Sequence, residues 1–221
     1  VAPGGYGKTT LLGQLVARRP AAMATWLSLD EYDNDPAVLL SYLVAALERI
    51  EPIDTEQRRL LLAEVADGSG SLRRVAAWVS SMQTSFLMVI DHVEAVRNPI
   101  SRDLIAAVAL NLPESSRLAL ASRTEPPIPV ARLRAEGLVE EITWAELAMD
   151  EREAEQLLAS EGTPLEEAAL TEVVAHTEGW PVGLYLAALS LKDEAEIEAA
   201  IAGSLGEDRL VADYVRDEFL R

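Results

Sequence analysis

The first ten residues, Val1-Ala2-Pro3-Gly4-Gly5-Tyr6-Gly7-Lys8-Thr9-Thr10, constrain this chain more than any other stretch. Gly4, Gly5 and Gly7 let the backbone turn with positive φ and approach a ligand closely. Successive backbone N–H groups in such a turn form an anion-binding concavity. Lys8 adds a point charge that reaches terminal phosphates, and the hydroxyl of Thr9 suits Mg2+, a hard cation that takes oxygen ligands. Leu11, Leu12, Leu15 and Val16 follow at helical spacing, so a helix N-terminus sits behind the loop and adds its partial positive charge. Gly4, Gly5, Tyr6, Gly7, Lys8, Thr9 and Thr10 are therefore the candidate phosphate-binding residues. The full phosphate-loop pattern is G-x-x-x-x-G-K-S/T. Gly7-Lys8-Thr9 fits its end, and Ala2 stands in place of the first glycine. A strand should precede the loop, but almost none of it is present; with a first residue that is not Met, a fragment is expected. The plain alternative is an exposed glycine-rich turn before a helix.

Two further segments read as buried parallel strands. Phe86-Leu87-Met88-Val89-Ile90-Asp91 is a continuous apolar run ending in an acid, as expected of a strand covered on both faces. Arg117-Leu118-Ala119-Leu120-Ala121-Ser122-Arg123 is a second, and it ends before the prolines of Thr124-Glu125-Pro126-Pro127-Ile128-Pro129, which cannot continue a ladder. Ala24-Thr25-Trp26-Leu27-Ser28-Leu29 has strand length and composition, and Val139-Glu140-Glu141-Ile142 reads as a last strand. Helices are expected over about 7–18, 38–50, 56–66, 72–82 and 101–111, with Asp35 capping and Pro36 opening the second. Asp67-Gly68-Ser69-Gly70-Ser71 reads as a loop. Alternating strands and helices imply an α/β fold, a P-loop-type parallel sheet flanked by helices.

After about Ala148 the pattern is helical only. Asp150 caps a helix over 151–160. Thr163-Pro164-Leu165-Glu166 has capping-box form and opens the next, which Gly179 ends. Pro181 begins another, and helices over 194–202 and 207–220 complete the set. The expected organisation is a nucleotide-binding domain over 1–148, an all-helical lid subdomain over 149–206, and the start of a following domain over 207–221.

Composition excludes several classes. The chain has 221 residues and no cysteine, so disulfides and cysteine–zinc sites are out, which fits a cytoplasmic protein. No apolar run reaches the ~20 residues of a membrane helix. The net charge of −18 repels nucleic acid phosphates, so this segment is not expected to bind DNA by itself. Only two of its 19 basic residues, Lys8 and Lys192, are lysines.

Asp91 is the second anchor. Parallel sheets place ligands at the carboxyl ends of their strands, where Asp91 can hold magnesium opposite Thr9. The alternative is an ordinary acid at a strand end. Many P-loop ATPases carry a second acid next to the first; here that position is His92, with Glu94 two residues on and Asp30 and Glu31 at another strand end as possible substitutes. His92 itself reads better as a polar strand-end residue than as a catalytic one. Arg123 can recognise a γ-phosphate through its guanidinium, or be a surface arginine paired with an acid. Gly179 and Pro181 are explained by helix capping alone, with Trp180 as core or edge packing.

Taken in order, Ala2–Thr10, Trp26–Glu31 with Asp33-Asn34-Asp35-Pro36, Met88–Asp91, Leu118–Arg123 with Pro126-Pro127 and Ala131–Arg134, and Thr177–Leu184 resemble the MalT-type signal-transduction ATPases (STAND class), the nucleotide switches of LuxR-type transcription activators. The resemblance covers nearly the whole chain. It implies that Gly179-Trp180-Pro181 matches the family's Gly-x-Pro motif, with Pro181 near the nucleotide base, and that Arg123 matches its sensor arginine. Lys8, Asp91 and Arg123 would serve the chemistry, and Thr9 and Asp91 the metal. It also implies ATP/ADP and Mg2+ as ligands, self-association in the ATP state, and a winged-helix domain beginning near Asp213. Inducer-binding repeats and a DNA-binding helix-turn-helix would follow in regions beyond this chain. Two rival readings are a P-loop kinase or other phosphotransferase, and a non-hydrolysing interaction module in which His92 marks lost turnover.

Overall fold

The computed structural model describes residues 1–63 and 69–198. These form two compact units: Thr9–Glu141 together with Val1, and Ala2–Lys8 together with the residues from Ile142 onward.

The first unit is built on a parallel sheet of β1 (Ala24–Ser28), β2 (Leu87–Asp91) and β3 (Arg117–Leu120), in the order β1-β2-β3. All five residues of β2 are buried. The strand alternation sends successive side chains to opposite faces. Met88 and Ile90 join a core made with Leu39, Leu43 and Leu47 of α2 (Pro36–Glu48) and Leu104, Ile105 and Val108 of α5 (Pro99–Leu110). Leu87 and Val89 join a second core with Leu12 of α1 (Lys8–Ala17) and Ala121. Two apolar faces on one strand need helices on both sides, which is why the run has no polar alternation. Each fully buried leucine or isoleucine here contributes about 1.5–3 kcal/mol of transfer free energy. Two further helices, α3 (Thr55–Leu62) and α4 (Ser69–Ser81), pack beside α2 and α5, and α6 (Val130–Ala135) follows β3.

Local chemistry sets the helix ends. Asp35 accepts from the Ala37 N–H at 2.8 Å with Pro36 as the first helical residue, as expected. Asn98 does the same for Ile100 at 2.9 Å, so α5 begins at Pro99, two residues before the apolar spacing indicated. Ser69, Gly70 and Ser71 lie in the first turn of α4 rather than in a loop; small residues suit a helix start as well as a turn. α3 ends at Leu62 because Ala63 is extended.

One expected strand is not formed. Residues 139–142 have no strand partner among the described residues: Leu138 and Ile142 are exposed, and Glu141 instead receives guanidinium hydrogen bonds from Arg134, at 2.6 and 2.9 Å.

The second unit holds the short α7 (Trp144–Leu147), and α8 (Glu151–Ser160), α9 (Glu167–Thr177) and α10 (Pro181–Glu198) packed around Ala154, Leu158, Leu170, Leu184 and Ala188. Asp150 and Glu153 form a reciprocal capping box at the start of α8. Thr163 does not open α9. Its N–H and hydroxyl both donate to the Leu158 carbonyl, closing the end of α8 after Gly162 (φ 80°), and α9 starts at Glu167. α10 runs unbroken past Glu194, with no glycine or proline between Leu184 and Glu198, so no separate helix begins there. The remainder of the helix expected over 194–202, the helix over 207–220 and the expected start of a winged helix lie outside the described residues. Among the described residues no helix is long and apolar enough to cross a membrane.

Candidate functional site

The strand ladder continues beyond the strand ends. Leu29 N–H donates to the Asp91 carbonyl at 3.0 Å, Ala121 N–H to Ile90 at 3.0 Å, and Val93 N–H to Ala121 at 3.1 Å. Ser28, Asp91 and the Ser122-Arg123 segment therefore share the carboxyl edge of the sheet, the edge where open α/β sheets place ligands.

Asp91 is buried with both carboxylate oxygens occupied. Oδ2 accepts from the Thr9 hydroxyl at 2.7 Å, and Oδ1 from the backbone N–H of His92 at 2.9 Å. A hydroxyl and a carboxylate in direct contact form an oxygen donor pair that suits a hard cation. Among the described residues no group of three or more acids, histidines or cysteines is placed to hold a metal ion. A magnesium ion at this pair would therefore draw its other ligands from phosphate oxygens and water, its usual mode.

His92 adopts a left-handed conformation (φ 58°), and its Nδ1 lies 3.3 Å from the Ser28 hydroxyl. The ring thus reaches from the end of β2 to the end of β1. The turn carries the chain into a 3-10 segment, Val93–Ala95, and Glu94 on it meets Arg123. Arg123 N–H donates to Glu94 Oε2 at 3.1 Å, and Arg123 Nε lies 3.3 Å from Glu94 Oε1. Arg123 thus has an acid partner at the sheet edge.

Behind this edge Asn34 ties two loops together. Its Oδ1 accepts from Arg97 N–H (2.6 Å) and Asn98 N–H (2.9 Å), and its Nδ2 donates to the Ala95 (2.9 Å) and Glu31 (3.0 Å) carbonyls. The loop after β1 and the loop carrying Glu94 are fixed to each other by one amide.

In the second unit the glycine loop has its own supports. Lys8 Nζ donates to the carbonyls of Ala2 at 2.6 Å and Pro3 at 2.7 Å, folding back over the loop. Gly5 and Gly7 take positive φ, 77° and 73°; Gly4 does not, contrary to expectation. Its carbonyl instead accepts a hydrogen bond from the Trp180 indole N–H at 3.0 Å. Gly5 packs so tightly on this indole that a Cβ would lie 2.6 Å from Trp180 Nε1. Tyr6 meets Trp144 edge-on at 6.5 Å, and burial, followed by the charge of Glu178, raises its phenol pKa. Pro181, directly after Trp180 in sequence, is the first residue of α10. Gly179 has φ 70° and passes its carbonyl to the Met149 N–H at 2.8 Å; a Cβ there would lie 2.5 Å from the Met149 oxygen. The glycine thus does more than end a helix.

A parallel sheet between helices, with a serviceable hydroxyl–carboxylate pair at its carboxyl edge, defines a P-loop-NTPase-like α/β protein. No family model matches the chain. It is similar to proteins named HTH-type transcriptional regulator MalT: 31% identical to that of Serratia proteamaculans, 30% to that of Yersinia enterocolitica and 29% to that of Klebsiella pneumoniae, each over 224 residues and 99% of this chain. The chain spans about a quarter (24%) of the length of these curated relatives. Over 99% of its length it is similar to one segment of the MalT regulators, and the resemblance drawn from its motifs is borne out.

Proposed function

We propose that this chain is an ATP/ADP-binding switch, a slow ATPase segment of a signal-responsive transcription regulator. The observation that carries the reading is the 2.7 Å contact between Thr9 and Asp91, with Thr9 directly following Lys8 of the glycine loop in sequence. The loop amides of Gly4–Gly7, Lys8 and Thr10 bind the phosphates, Thr9 and Asp91 hold Mg2+, Arg123 senses the γ-phosphate, and Pro181 packs by the base. Magnesium, when bound, neutralises phosphate charge. ATP would favour an open, self-associating state through differential affinity. An inducer and DNA would be engaged by regions beyond this chain, consistent with the name of its relatives. Residues 1–148 would serve as the nucleotide-binding domain, 149–206 as the lid and 207–221 as the start of a winged helix.

The test is to denature the purified protein and identify the nucleotide it releases, beside a Lys8→Ala control. ADP released from the wild type alone supports the reading. No nucleotide in either protein, and no binding of Mg-ATP or Mg-ADP on titration, would refute it. A second reading, binding without turnover, is favoured by His92, whose ring lies against Ser28 where many such ATPases present a second acid; ATP released intact would support it.

A further inference from the structure

Two consecutive carbonyls of the glycine loop are held from one short segment of the same unit. Trp180 Nε1 donates to the Gly4 carbonyl at 3.0 Å, and the backbone N–H of Val182 donates to the Gly5 carbonyl at 3.3 Å. A trans peptide is planar, so its N–H points opposite to its C=O. Holding the Gly4 carbonyl therefore sets the direction of the Gly5 N–H, and holding the Gly5 carbonyl sets that of the Tyr6 N–H. We propose that Trp180 is a positioning residue for phosphate: through the Gly4 peptide it aims loop amides, rather than carbonyls, at the anion. The proposal rests on the nucleotide-binding reading above.

The geometry supports such a role in two ways. A glycine-rich loop has low barriers to turning a peptide over, and a turned peptide would present an acceptor where the anion needs a donor. The indole prevents this with both a hydrogen bond and bulk, since it fills the space above Gly5. Trp180 is also fixed in advance. Its N–H donates to Thr177 at 2.8 Å, its carbonyl accepts from Leu184 at 2.9 Å, and the preceding Glu178 and Gly179 take left-handed conformations (φ 51° and 70°) with Gly179 bonded to Met149. A donor held on a rigid turn can orient its partner at little entropic cost.

The experiment is calorimetric titration of nucleotide-free protein with ADP and with adenosine, for wild type, Lys8→Ala and Trp180→Phe. Phenylalanine keeps an aromatic ring and loses the N–H. Trp180→Phe should weaken ADP by about three- to tenfold, the worth of one net hydrogen bond, while leaving adenosine affinity unchanged. Equal losses for ADP and adenosine would overturn the proposal, since Trp180 would then act on the base or on folding. Unchanged ADP affinity in Trp180→Phe, with binding lost in Lys8→Ala, would overturn it while sparing the nucleotide reading. A wild type that binds no ADP would overturn both. Independently of any variant, ADP should shift the Gly5 and Tyr6 amide proton resonances of the wild type, and two resonances that stay in place at saturating ADP would overturn the proposal.

Discussion

The hydroxyl of Thr9 donates to Oδ2 of Asp91 across 82 positions of sequence, at 2.7 Å. This bond joins the start of α1 to the end of β2 inside one unit, and it brings together the two oxygens expected to share a cation. Removing the carboxylate charge while keeping its shape should uncouple nucleotide binding from magnesium. In Asp91→Asn the gain in ATP affinity on adding Mg2+ should fall by about tenfold or more, the scale of one charge-assisted contact at ~1.5–3 kcal/mol. Titrations with Mg2+ and with a chelator measure it directly. An Asp91→Asn protein that keeps the full magnesium effect would remove Asp91 from the metal site.

Glu94 holds Arg123 by a backbone hydrogen bond and an ion pair at the carboxyl edge of the sheet. If Arg123 reads the γ-phosphate, Glu94 competes with ATP for the same guanidinium. Glu94→Gln should then raise the ATP-to-ADP affinity ratio several-fold, and Arg123→Ala should lower it by about tenfold, as expected for a charge-assisted contact. Both ratios come from competition titrations. Ratios that move in the same direction in the two variants would show that the pair serves only the fold.

What the sequence made legible was local or periodic. Asp35-Pro36 and Asp150 announce helix starts because a cap needs only residues two or three positions away. β2 was legible as a run buried on both faces because parallel sheets leave no polar side. Residues 139–142 misled because a strand exists only with a partner, and the described residues supply none there. Thr163 misled because its capping pattern serves equally the end of the preceding helix. The candidate site divides in the same way. The glycine loop and Asp91 carry their own signature, whereas the Trp180–Gly4 bond spans 176 positions and leaves none in either segment. Asn34 likewise carries no signal of its own within Asp33-Asn34-Asp35-Pro36, since its four partners are revealed by folding alone.

Asn34 gives a stability prediction. Its amide satisfies two N–H groups and two carbonyls from two loops. Asn34→Ala leaves these groups to water or to nothing, at a cost of about 2–3 kcal/mol, given ~0.5–1.5 kcal/mol net per hydrogen bond and partial rescue by solvent. Asn34→Asp keeps the acceptor side and loses both donors, so it should fall between alanine and wild type. Urea unfolding of the three proteins at one pH gives the order. If alanine costs less than about 0.5 kcal/mol, within the scatter of ordinary surface substitutions, the loops are held by something else.

Asp33 gives the pH prediction. It is buried, its Oδ2 accepts from Asp30 N–H at 2.8 Å, and its Oδ1 has no hydrogen-bond partner among the described residues. Burial, aided by the nearby charge of Asp30 and opposed by the Asp30 backbone bond, raises its pKa above the ordinary carboxylate value of ~3.9. The folded chain therefore binds this proton more tightly than the unfolded chain. The stability linked to Asp33 is present below the unfolded pKa and is lost as pH rises through the folded one. Asp33→Asn keeps the acceptor for Asp30 and removes the titration. The melting temperature of the variant minus that of wild type should therefore increase from about pH 4 to about pH 7, whatever constant offset the buried amide brings. A difference that stays flat, or shrinks, across that range would mean that Asp33 is ionised in the folded protein at no cost and that its unpaired oxygen is satisfied in solution.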